Sequence, residues 1–116
     1  MESKIVILVR QAGLGQTQAE DKQFGLDMFD RFLHTLEGEP VKPQAICFYT
    51  EGVKLVCQSS SALQSLSFLQ GMGVRIVTCR TCLDYFKLQD QVAIGEVGGM
   101  NDIVKLLMAA DKVITV

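Results

Sequence analysis

Two cysteines three positions apart, Cys79 and Cys82, are the residues of this chain best suited to do chemistry. They follow Val74-Arg75-Ile76-Val77, an apolar run that reads as a buried strand, and they precede a short helical pattern. Thr81 and Asp84 have the spacing of a helix cap and the acidic residue that follows it. A thiol placed where a strand ends and a helix begins meets free backbone N–H groups and the positive end of the helix dipole. Both favour the thiolate. The expectation is a nucleophile at Cys79, open to solvent, with a pKa below the ~8.5 of a free cysteine. The plainer alternative is two small apolar residues closing a strand-to-helix turn.

Other chemistries fit less well. A structural zinc site calls for paired ligand knuckles, and Cys79 with Cys82 makes one knuckle with no second. Cys47 falls mid-strand, where it reads as core filler. Cys57, in a loop at the edge of the expected site, reads as filler or a surface thiol, with a sulfur acceptor as the alternative, and His34, the only histidine, lies on a long helical pattern. A thioredoxin-type exchanger would share the thiol pair, but that fold sets a proline opposite the thiols from later in the chain. Here Pro40 and Pro43 both precede them. Gly13-Leu14-Gly15 follows the first strand, yet Gln18 stands where the dinucleotide fingerprint needs its third glycine, and no phosphate-loop lysine is present. No cofactor and no metal are expected. By chain position Gly13, Gly15, Glu51, Thr81, Asp84 and Glu96 line the thiol site, with Tyr85 a half-buried packing residue beside it.

The elements that must position these residues alternate regularly. Lys4 to Val9 is a β-branched run of the kind covered on both faces in parallel sheets. Thr17 and Glu20 make a capping-box spacing before a long helix with Phe24, Met28, Phe29, Phe32, Leu33 and Leu36 on one face. Gly38, Pro40 and Pro43 end that helix. Strands are predicted at Ala45 to Tyr49, at Val74 to Val77, at Val92 to Ile94 and at Lys112 to Val116. Helices are expected over Leu63 to Leu69, around Leu83 to Leu88, and from Ile103 to Met108. Connections too long for hairpins make this an α/β domain with a five-stranded parallel sheet and helices on both faces. Ligands bind beyond the carboxyl ends of the strands in such folds. The loops meeting there are Gln11 to Gln16, Thr50 to Gln58, Thr78 to Cys82, and Glu96 to Met100.

A chain of 116 residues reads as a single domain over residues 1–116. Its 48% hydrophobic and 21% charged content is somewhat apolar for so small a body, which suggests a homo-oligomer. The net charge of -2 provides no basic stripe for nucleic acid, and no basic amphipathic stretch addresses a membrane surface. Ile5 to Val9, closed by Arg10, is too short for a signal core or a span. A cytoplasmic setting is expected, in which cysteines serve as free thiols rather than structural disulfides.

Five stretches together resemble the DsrE/DsrF-like sulfur-relay family, most closely the DsrE-like domain of YedF-type selenium-metabolism proteins. They are Ile5 to Val9, Phe48 to Leu55, Cys79 to Tyr85, Ala93 to Val97, and Asp111 to Thr115. The Cys-x-Thr-Cys-Leu-Asp-Tyr element is the most specific of them. The resemblance implies an α/β/α sandwich, assembled into trimers or hexamers, that carries sulfur as a persulfide on a cysteine after the third strand. Cys79 matches that position, and Cys82 matches the extra thiol of a two-cysteine branch. YedF-type proteins usually carry an amino-terminal TusA-like domain, whereas this sequence opens directly on the DsrE-like strand; the resemblance leaves that domain as a separate TusA-like partner protein, as a part cut from the same chain, or as no part of this system. The function expected is a sulfurtransferase-like sulfur or selenium carrier. Two alternatives are a thiol–disulfide redox protein using Cys79 and Cys82, and a non-catalytic oligomeric module binding a small ligand.

Overall fold

The computed structural model describes residues 4–116. Five strands, β1 (Ile5–Val9), β2 (Ala45–Phe48), β3 (Arg75–Cys79), β4 (Glu96–Gly98) and β5 (Lys112–Thr115), form one sheet in the order β4-β3-β2-β1-β5. Every pairing is parallel. Four helices connect them: α1 (Lys22–Glu37), α2 (Leu63–Gly71), α3 (Arg80–Tyr85) and α4 (Met100–Ala109). The chain steps in one direction from β1 to β4, then returns across the sheet to set β5 beside β1. Right-handed crossovers place α1 to α3 on one face and α4 on the other, giving the three-layer sandwich.

The core follows from composition. Val6 to Val9, Ala45 to Phe48 and Ile76 to Cys79 are buried at every position, since the central strands are covered on both faces. Phe29 and Leu33 of α1 pack onto them, with Phe29 meeting Phe48 edge-on at 6.4 Å between ring centroids. Leu66 and Leu69 of α2, Leu83 of α3 and Ile103 of α4 complete the interior.

The structure departs from the sequence pattern in three places. Residues 17–20 form no capping box. A single 3-10 turn, Ala19–Asp21, precedes α1, whose N-cap Asp21 makes no side-chain capping bond, and Phe24 is exposed rather than on the inner face. Val92 to Ile94 is not the fourth strand. Val92 makes an isolated antiparallel bridge to Cys57, and the Ala93 N–H donates to the Val56 carbonyl at 2.9 Å. This apolar run packs on the 3-10 segment Thr50–Val56, and the strand begins only after Gly95. Gly95 has φ +82° and lies so close to Ile76 that a Cβ there would come within 2.6 Å of its carbonyl oxygen. Finally, α3 begins at Arg80 with Cys79 as its N-cap, so Thr81 does not cap it.

Cys47 lies at the centre of the sheet and is fully buried. Burial pushes its pKa up to about 11, partly offset by Arg75 and reinforced by Glu96. A pKa raised on folding stabilises the fold below the unfolded value, and that contribution is lost as pH climbs through the folded value. Denaturant midpoints should therefore fall as pH rises from about 9 to about 11. Cys47→Ala should flatten that decline; an unchanged slope in the variant would refute the assignment.

Candidate functional site

The carboxyl ends of β1, β2 and β3 meet around the two thiols. Cys79 is the last residue of β3, and its side chain is sealed inside, 1% exposed. The expectation of a solvent-presented thiol at residue 79 is thus corrected. The strand's end is still under the core, and the chain surfaces only in the next turn. Cys82, one helical turn on, is half-buried and reaches the surface.

Thr50 governs the environment of Cys82. Its backbone N–H donates to Cys82 Sγ at 3.0 Å. To aim that donor, Thr50 adopts φ +47°, a left-handed conformation that is an outlier for a β-branched residue and costs about 1–3 kcal/mol. The threonine hydroxyl holds it there, lying 2.9 Å from the Arg10 carbonyl and 2.8 Å from its neighbour Tyr49's. The Tyr49 N–H in turn donates to the Val9 carbonyl at 3.1 Å, so this turn is tied to the end of β1. Gly52 makes the approach possible. A side chain there would overlap the Val9 carbonyl oxygen and bring Cβ within 2.9 Å of its carbon.

Thr50, Thr81, Cys82, Tyr85 and Phe86 line a recess of about 290 Å³ whose walls are almost wholly apolar. The Phe86 ring meets the Tyr85 ring edge-on at 5.1 Å, and the Lys54 ammonium sits over it at 4.6 Å. Lys54 also pairs with Glu51 at 2.6 Å, both groups being about half exposed. Such a surface pair adds little stability but fixes where the lysine sits. A larger groove of about 530 Å³, between α2 and residues 92–95, contains no thiol.

Of the residues predicted to line the site, Thr81 does so. Glu51 stands behind it through Lys54. Gly13 is buried against the backbone of Gly25, whose carbonyl accepts the Leu14 N–H at 2.9 Å, so the glycine loop seats on α1. Neither Gly13 nor Gly15 borders the recess. Asp84 is exposed on α3 and also lies outside it. Glu96 is displaced altogether. It opens β4 opposite Val77, and its carboxylate accepts from Arg75 at 2.7 and 3.4 Å, towards the other end of β3. Its assignment rested on the misplaced fourth strand. Tyr85 is 78% exposed rather than a packing residue. Thr50 opens one of the loops expected at this edge, but nothing in the sequence marks a threonine with positive φ.

Cys82 has a shifted pKa of its own. Burial pushes its pKa up, the Thr50 N–H pulls it back, and the neighbouring Cys79 thiol raises it further. Cys57 is buried, donates to the Val53 carbonyl at 3.4 Å, and has its pKa raised by burial. His34 lies on the exposed side of α1, 3.1 Å from Glu37. Among the described residues no cluster of three or more histidine, cysteine or acidic side chains could hold a metal, and no helix is long and apolar enough to cross a membrane.

A parallel five-stranded α/β/α sandwich with a thiol pair at the carboxyl end of its third strand defines the class, and the family model for the DsrE/DsrF-like family matches residues 4–116. The chain belongs to that family. Among solved structures it is similar to the ychN protein of E. coli, with a TM-score of 0.68 and 18% identity over 99% of this chain and 100% of that one. It is likewise similar to MTH1491 of Methanobacterium thermoautotrophicum, a protein of unknown function, at TM-score 0.69 and 16% identity over 99% and 100%. BT1422 of Bacteroides thetaiotaomicron gives 0.63 and 17% over 98% and 95%. These likenesses establish the fold. No curated protein matches the chain.

Gly52→Ala should cost about 1–3 kcal/mol by forcing the 3-10 segment off the end of β1. A denaturant midpoint equal to that of the wild type would show that the close approach is not needed.

Proposed function

We propose that this chain accepts sulfane sulfur at the Cys79–Cys82 pair and passes it to an acceptor thiol. Membership of a family associated with sulfur relay supports the reading. The observation that carries it is the meeting of two free thiols at the carboxyl rim of the sheet, one opening into an apolar recess under a main-chain N–H. A persulfide needs little else: a sulfur nucleophile, a donor for developing negative charge, and shelter from water. The donor we propose is a small TusA-like sulfur-carrier protein, and the cargo is sulfur or selenium. Incubation with a persulfide donor should add one sulfur atom to the protein mass, and the Cys79→Ser/Cys82→Ser double variant should not gain it. A reversible loss of two hydrogens without sulfur gain would favour thiol–disulfide exchange. Inert thiols under both treatments would leave a binding module.

We also propose that copies of the chain assemble. All four residues of β5 are exposed, Val113 and Ile114 among them, although the strand pairs with β1 along one edge. On α4, Val104 is 44% and Met108 81% exposed. Apolar groups on an open edge strand and a bare helix face suit contact with a second copy. Light scattering should report a trimer or hexamer, and Val104→Lys with Met108→Lys should reduce it to smaller species. A monomeric wild type would overturn the proposal.

A further inference from the structure

The two thiols are not equivalent, and the difference assigns them separate roles; the assignment rests on the sulfur-carrying reading. Cys79 is sealed at the end of β3 and borders none of the recess. Cys82 borders it, in company with Thr50, Thr81, Tyr85 and Phe86. Among the described residues the one main-chain donor directed at either sulfur, the Thr50 N–H, points at Cys82. We propose that Cys82, not Cys79, is the thiol that takes sulfur from the donor, and that Thr50 is its positioning residue. Cys79 is the inner thiol, acting on Cys82 rather than on the donor.

The step balances without an oxidant or reductant. Cys82 Sγ attacks the outer sulfur of a donor persulfide R–S–SH. The donor S–S bond breaks, a new one forms at Cys82, and the thiol proton ends on the departing sulfur as R–SH. Delivery is the same exchange in reverse, towards an acceptor thiol. The rate depends on charge developing at Cys82 Sγ, which the Thr50 N–H stabilises in a recess with apolar walls. A strained residue anchored by its own hydroxyl at the reacting atom fits this use. The titratable and charged groups on the surrounding elements are Cys79, Arg80, Asp84 and Tyr85 of the β3–α3 segment, and Glu51 and Lys54 of the 3-10 segment.

Arg80 separates the two cysteines, so trypsin cuts between them and leaves Cys79 on the 76–80 peptide and Cys82 on the 81–87 peptide. Wild-type protein exposed briefly to glutathione persulfide, alkylated and digested should carry the added sulfur on the second peptide. Cys79→Ser should still load, and Cys82→Ser should not. Thr50→Val should slow loading at neutral pH by about three- to tenfold and move the rate–pH curve upward, as a thiol pKa raised by up to about one unit requires. Thr50→Ser, which keeps the hydroxyl anchor, should restore both. Sulfur first found on the 76–80 peptide would overturn the assignment while leaving sulfur carriage standing. A Thr50→Val curve that does not move would remove the positioning role, and no sulfur on either peptide would refute carriage along with the assignment.

Discussion

Burial on both faces of the sheet governs this molecule, and the character of its thiols follows from it. Strands β1 to β3 are covered right up to their carboxyl ends, so a side chain at the last strand position is still inside the core. Cys79 occupies that position and is closed off. One helical turn later the backbone has left the layer, and Cys82 is the sulfur that meets the surface. The same burial sets the direction in which the cysteine pKa values move. Cys47, Cys57 and Cys82 all shift upward, with desolvation the largest cause in each case. One main-chain donor works against that tendency at Cys82 without reversing it.

The fold was largely legible because its signals are local. The β-branched run at Ile5 to Val9, the apolar stripe through Phe29 and Leu33, and the cysteine motif after a predicted strand each carry their own evidence. The fourth strand was misplaced for a physical reason. Val92 to Ile94 is as apolar as a strand because it packs on another segment, and periodicity does not distinguish that from sheet pairing. Glu96 inherited the error. With the register observed, its carboxylate belongs to Arg75. The α3 cap failed because helix boundaries shift by a residue or two without changing any pattern in the sequence.

The site was legible as a pair of cysteines but not as an arrangement. Whether Cys79 or Cys82 is open depends on where the covering layer stops, a tertiary fact. Thr50 lies thirty-two positions before Cys82, and its conformation is imposed by ties to Arg10 and by the space Gly52 leaves at Val9. A threonine in that state has no signature, since the residue type argues against it. Gly13 and Gly15 had the opposite fate: a pattern suggestive of ligand binding turned out to join a loop to α1.

The group that faces Cys82 is a peptide N–H, and this has a bearing on how the site responds to substitution. Almost any residue at position 50 would retain the donor itself, so a substitution there changes its aim rather than its presence. On the proposed reading, the shape of a turn rather than the identity of a side chain would grade reactivity at this sulfur. A side-chain donor would allow no such grading, because a single replacement would remove it.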